Sequence, residues 1–193
     1  MKECSGTRCE EHDCPSCPEA RDGKPLIYLA GPFFNVAQIE LCRQVKDVLA
    51  KNSDFEIFWP YEANPKVTIS NPDEAQRVFE ENDDMIEESC VMIAIVDWVL
   101  PKDEYIVRMK GGRFQERLNI PDAGTVWEMG AAWSNGTAVV LFSNATNRKV
   151  NLMLSQSAKG VIYGLNQLWE FIKPVKRLSL NWNRLSNWKG ERT

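Results

Sequence analysis

Histidine is all but missing from this sequence: the single one, His12, lies close to the N-terminus, apart from the regularly patterned remainder. A Ser-His-Asp or Cys-His arrangement within the body of the chain is thereby excluded, because each needs an imidazole to carry the proton. Acid and base chemistry there must come from carboxylates, tyrosine, lysine or cysteine. Long apolar runs are missing too, and none approaches the roughly 20 residues of a membrane-spanning helix. The net charge is −4 with no long basic block, so the phosphate-neutralising footprint of a duplex nucleic-acid binder is absent. A small-molecule partner is expected instead, with no membrane. The first residues, MKECSGTRCEEHDCPSCPEARDGK, hold no apolar core of a secretory signal, and their acidic residues are unlike a mitochondrial transit peptide. The expected compartment is the cytoplasm.

What is present is a chain of 193 residues, 44% hydrophobic and 26% charged, the composition of a single globular domain with one core. Four of the six cysteines, Cys4, Cys9, Cys14 and Cys17, crowd the start. Residues 1–24 therefore read as an extension, 25–175 as the domain proper and 176–193 as a C-terminal tail. Only Cys14 and Cys17 stand at a zinc-like Cys-x-x-Cys spacing. The set reads as free thiols, with a structural zinc as the alternative. Cys42 and Cys90 have no histidine to activate them and read as small core residues.

Along the domain, LIYLAGP (26–32) is a short apolar run stopped by Gly-Pro, hence a buried strand. Ile39, Cys42, Val45 and Leu49 recur at helical spacing, which predicts a helix over 36–51. FEIFWP (55–60) is a second strand, and 61–71 a loop. Asn71-Pro72 is a capping residue ahead of a first-turn proline and opens a helix to about residue 89. CVMIAIVD (90–97) is apolar throughout, as a strand covered on both faces is. Residues 98–121 are longer than a usual connection, so they are expected to be functional or mobile. A helix over 124–134, strands at 137–143 and 159–164, and a last helix LNQLWEFI complete the pattern. The alternation predicts a three-layer α/β fold with a parallel sheet of about five strands. Ligands of such sheets bind beyond the carboxyl ends of the strands, just after Tyr28, Val96 and Phe142. Gly31, Phe33 and Asp97 are candidates on that ground.

Within the helix at 124–134 the neighbours of Glu128 at helical spacing are Gly124, Thr125, Ala131 and Ala132, small residues that leave room for a ligand. A helix glutamate is ordinarily just solvated. Here the flanking residues are Val126, Trp127, Met129 and Trp133, and a carboxylate among them is costly unless paired or used. On the helix after Pro72, Asn82 interrupts the apolar stripe of Ala75, Val78, Phe79 and Ile86, with Asp83 beside it. Asn82 either bonds a neighbouring loop or belongs to the site.

Four blocks, IYLAGPFFN (27–35), NDDMIEESCVMIAIVD (82–97), PDAGTVWEMG (121–130) and VNLML (150–154), occur in this order and together resemble the nucleoside 2-deoxyribosyltransferase family. The resemblance runs from about Pro25 to Ile172. It implies a flavodoxin-like fold and a double displacement at a sugar carbon, with no cofactor and no metal. Glu128 matches the family's nucleophile, Asp122 the aspartate that contacts the base and assists its protonation, and Tyr28 the tyrosine that holds the nucleophile. Asn151 matches an asparagine of the sugar site, often supplied by a neighbouring subunit, and Met153 follows as in the family. Asn82 stands where many relatives carry Asp, and Asp83 is the nearest carboxylate to take that place. Sites completed by a neighbour imply a homo-oligomer, to whose interface Trp127 and Trp133 are assigned.

Phe33, Phe34 and Trp98 are either core or a stacking surface for a nucleobase. The basic residues Arg108, Lys110, Arg113 and Arg117 form either a solvated loop or a grip on a 5'-phosphate. Three functions remain on this basis: transfer of deoxyribose between bases, hydrolysis of a nucleoside or nucleoside 5'-monophosphate by the same glutamate, and non-catalytic sensing of a nucleotide-like ligand. Acceptor choice between base and water depends on how the site excludes water.

Overall fold

A computed structural model describes residues 24–64, 71–97, 106–108, 115–119, 121–145 and 149–174. His12 and the four N-terminal cysteines, Trp98, Lys110, Arg113 and the tail 176–193 lie outside the described residues, as do the side chains of Arg108 and Arg117.

The elements are β1 (Leu26–Ala30), α1 (Val36–Ala50), β2 (Glu56–Phe58), α2 (Pro60–Ala63), α3 (Pro72–Glu87), β3 (Val91–Ile95), β4 (Ile106–Arg108), β5 (Gln115–Asn119), α4 (Ala123–Ser134), β6 (Ala138–Ser143), β7 (Lys149–Val150), α5 (Leu152–Ser157), β8 (Gly160–Tyr163) and α6 (Gly164–Ile172). Five strands make one sheet in the order β2-β1-β3-β6-β8, and every pairing in it is parallel. This is the flavodoxin-like order, and it reverses direction between β1 and β3. The expected three-layer α/β fold is therefore the observed one.

Alternation along the strands divides the core in two. Ile27, Leu29, Ile93, Ile95, Val140 and Phe142 pack with Leu41, Val45 and Leu49 of α1 and Leu168 of α6. Tyr28, Ala30, Met92, Ala94 and Leu141 point the other way, toward Met85 and Ile86 of α3 and Met129 and Ala132 of α4. Fully burying an Ile or Leu contributes about 1.5–3 kcal/mol relative to exposure, so each slip of register by one residue would expose a whole set of such side chains. The helix boundaries follow local chemistry. Asn35 caps α1 by accepting from Gln38 N–H, and Asn71 caps α3 by accepting from Asp73 and Glu74 N–H ahead of Pro72. Gly136, at φ +82°, supplies the left-handed turn after α4.

Three expectations change. Residues 61–71 are not loop throughout, since the short α2 begins at Pro60. The long connection over 98–121 contains two strands: β4 and β5 pair antiparallel, and β5 pairs parallel with β7 in a second, three-stranded sheet. A loop reading missed them because their partners are remote or too short to show periodicity. The stripe on α3 is buried only at its C-terminal end, at Met85 and Ile86, whereas Phe79 is exposed and meets Trp127 of α4 with ring centroids 4.9 Å apart. Cys42 is buried as expected, but Cys90 is only half-buried. Among the described residues no helix is long and apolar enough to cross a membrane.

Candidate active site

Tyr28 is the middle residue of β1, paired in register with Phe58 of β2 and Met92 of β3. Strand alternation turns its side chain toward the α3 and α4 layer, where it is fully buried. α4 lies across β1, β3 and β6 and brings Glu128 over the same strand. The Tyr28 Oη donates a hydrogen bond of 2.6 Å to Glu128 Oε1. Burial raises the Glu128 carboxyl to about 7, the Tyr28 hydrogen bond works against that rise, and the Asp122 carboxylate adds to it. The Tyr28 phenol is pushed far above its ordinary range, first by burial and then by the Glu128 and Asp83 carboxylates. It is therefore a donor at every pH at which the protein is folded. Glu128 in turn is divided between acid and carboxylate near neutrality.

Asp122 is buried, 6% exposed, and is the N-cap of α4. Its Oδ1 accepts from the N–H groups of Gly124 (2.8 Å) and Thr125 (3.2 Å), and its Oδ2 from the Thr125 hydroxyl. The Asp-Ala-Gly-Thr stretch thus has an aspartate cap with a hydroxyl three residues on, a capping pattern legible in the sequence that gives Thr125 a part in holding Asp122. The cap fixes Asp122 at the start of the helix whose second turn carries Glu128, so one short helix sets both carboxylates.

Asp83 of α3 lies near enough to act on the Tyr28 phenol. Asn82 beside it keeps a buried Oδ1 with no hydrogen-bond partner among the described residues, a fit for a ligand donor. Gly31 is buried against α1 and β3: a Cβ there would stand 3.1 Å from Cys42 Sγ and 3.2 Å from Ile95 Cβ. Its lack of a side chain is a packing requirement of the turn after β1. Above that turn Phe33 is 40% exposed, stacked on Phe34 and tilted against Tyr61, each at 5.7 Å.

Three further candidates are Asp97, Asn151 and Met153. Asp97, at the end of β3, accepts from the Ser143 hydroxyl at 2.7 Å and from the Asn144 N–H. Ser143 is the partner that sequence reasoning missed, because the contact joins the ends of two strands and has no local signature. Asn151 caps α5, accepting from Met153 N–H at 2.9 Å, and is exposed together with Leu152 and Met153. The structure thus brings Tyr28, Glu128, Asp122 and Asp83 together, and leaves Asn151 and Met153 on the surface of this chain. No three His, Cys, Asp or Glu side chains are grouped as metal ligands among the described residues.

Comparison with solved structures finds a 2-deoxyribosyltransferase from Bacillus psychrosaccharolyticus, 27% identical, with a TM-score of 0.59 over 75% of this chain and 90% of that one. A conserved protein from Enterococcus faecalis, 18% identical, shares the fold with a TM-score of 0.57 over 78% of this chain and 98% of that one. No curated protein sequence matches the chain. The sequence model of the nucleoside 2-deoxyribosyltransferase family matches residues 27–162, a stretch that contains Tyr28, the helix bearing Glu128 and all of the main sheet except the first residue of β1 and the last of β8. The chain belongs to the nucleoside 2-deoxyribosyltransferase family.

Proposed function

We propose that this chain exchanges the base of a 2'-deoxynucleoside through a covalent deoxyribosyl ester on Glu128, with residues 25–175 as the catalytic domain and the cytoplasm as its compartment. The observation that carries this reading is the Tyr28 to Glu128 hydrogen bond of 2.6 Å, formed at a buried carboxyl whose helix begins at the Asp122 cap. In the first half-reaction the Glu128 carboxylate forms a bond to C1' as the bond from C1' to the base nitrogen breaks. The electron pair leaves with the base, and Asp122 relays a proton from solvent to a ring nitrogen. In the second, a nitrogen of the incoming base attacks C1', the ester opens, the Glu128 carboxylate is restored and the proton of the incoming base passes by Asp122 to solvent. Two inversions leave the configuration at C1' retained.

The geometry supports a division of labour. Tyr28 orients one oxygen of Glu128 and leaves the other for C1'. Phe33 provides an apolar face suited to a base, and the unpartnered Asn82 Oδ1 an acceptor for a donor on the substrate. Exposure of Asn151, Leu152 and Met153 supports a homo-oligomer in which this segment completes a neighbouring site, and the exposed Phe79, Trp127 and Trp133 offer it an apolar contact surface.

Incubation of deoxyinosine with excess adenine tests the reaction: deoxyadenosine is the expected product. Free deoxyribose and hypoxanthine without deoxyadenosine would assign the same glutamate to hydrolysis. No turnover of any deoxynucleoside, with ligand binding unaffected by Glu128→Ala, would overturn an enzymatic role.

A further inference from the structure

Asp97 is a charged residue with almost no access to solvent, 4% exposed at the carboxyl end of β3. Burying a carboxylate is costly unless its oxygens are satisfied, and here both serve one short stretch of chain. Oδ1 accepts from the Ser143 hydroxyl at 2.7 Å and Oδ2 from the Asn144 N–H. Ser143, fully buried as the last residue of β6, in turn accepts from the Ala145 N–H at 3.2 Å. Backbone pairing reinforces the junction, since Val96 N–H donates to Phe142 O at 2.9 Å. The last residue of β6 and the first beyond it are thus tied directly to the end of β3 by Asp97, and Ala145 is tied to them through the Ser143 oxygen.

The stretch held in this way leads to β7, whose Val150 pairs with Asn119 of β5. The next residue is Asn151, cap of α5. β5 leads onward to Asp122, so the parallel pair starts Asn151 and Asp122 from the same end of the second sheet. Residues 143–145 are consequently anchored by Asp97, and Lys149 and Val150, just ahead of Asn151, by β5.

We propose that Asp97 is a positioning residue: by holding Ser143 and Asn144 it fixes the segment that presents Asn151 and Met153 to a sugar site, and it serves the reaction through them. This rests on the reading of Asn151 given under the proposed function. The geometry distinguishes the variants. Asp97→Asn can still accept from Asn144 N–H while its amide donates to the Ser143 oxygen, because the hydroxyl can rotate. Asp97→Ala leaves both groups buried without that partner.

Two measurements on the full chain test the proposal. In hydrogen exchange followed by mass spectrometry, Asp97→Ala should exchange faster in the peptide carrying Asn151 and Met153, by about tenfold or more, with β1 unchanged and Asp97→Asn close to wild type. An unchanged rate in that peptide overturns the clamp, whether or not the chain turns over a deoxynucleoside. In a kinetic cycle on deoxyinosine, Asp97→Ala and Asn151→Ala should each lower kcat/KM by about tenfold or more, and the double variant should fall no more than about threefold below the weaker single. Multiplying effects would show that Asp97 acts independently of Asn151 and would overturn the inference alone. A silent Asn151→Ala overturns both it and the role given to Asn151, whereas failure of wild-type turnover overturns only the proposed reaction. If Asp97→Ala does not fold, Ser143→Ala, which removes one of the two contacts, takes its place with the same expected outcomes.

Discussion

Replacing Tyr28 by phenylalanine removes a single hydroxyl and keeps the ring that packs 5.5 Å from Phe58. The lost group is the donor to Glu128 Oε1 at 2.6 Å, the one interaction that opposes the rise of the Glu128 carboxyl to about 7. A hydrogen bond to a charged group is worth about 1.5–3 kcal/mol, which at about 1.4 kcal/mol per pH unit is roughly 1–2 units. Because the nucleophile must be ionised, kcat/KM should rise with pH through an apparent value of about 7 in the wild type. In Tyr28→Phe the same limb should stand at roughly pH 8–9, so that activity at neutral pH falls about 5- to 50-fold and is largely recovered in alkali. The assay is release of hypoxanthine from deoxyinosine, measured as kcat/KM from about pH 5 to about pH 10. A variant slowed equally at every pH, or one whose limb moves toward acid, would refute the assignment of Tyr28 as the group that stabilises the carboxylate.

Glu128→Gln should stabilise the fold above neutrality. The folded-state carboxyl at about 7 stands above its ordinary 4.5, so the wild type holds its full proton-linked stability below 4.5 and loses it as pH rises through about 7. The variant escapes that loss, and urea melts should show its advantage growing across this window to about 1–3 kcal/mol; a difference independent of pH would contradict the burial argument. Asp122→Asn and Asp122→Ala should separate cap from chemistry. Asparagine can still accept from Gly124 and Thr125 N–H and should keep the melting temperature while lowering turnover, whereas alanine should also lose about 1–2 kcal/mol of stability. Gly31→Ala places a Cβ 3.1 Å from Cys42 Sγ and 3.2 Å from Ile95 and should destabilise by about 1–3 kcal/mol; addition of Cys42→Ala should recover part of that in the same melt. Sedimentation at micromolar concentration should show a homo-oligomer, and Trp127→Glu, in the exposed contact with Phe79, should shift it toward monomer.

The sequence by itself determined the sheet and its layers. Apolar runs such as Val91–Ile95, every residue buried, need cover on both faces, and helical periodicity between such strands leaves a parallel α/β sandwich as the arrangement that satisfies them. It also marked Glu128, because a carboxylate among Trp127, Met129 and Ala132 demands a reason, and the four ordered blocks pointed to the family. Tertiary structure decided what those residues do to one another. Tyr28 and Glu128 stand 100 residues apart, and their bond exists only because strand alternation turns Tyr28 toward the helix laid across β1. Phe79 lies on the apolar stripe of α3, yet it is exposed and meets the equally exposed Trp127 of α4 rather than the sheet. The pairing of β5 with β7 and the clamp of Asp97 on Ser143 are likewise contacts between remote pieces of chain. Periodicity reports which face of an element is apolar; which remote group meets that face is set by strand order and register, and that is where the chemistry of this site is made.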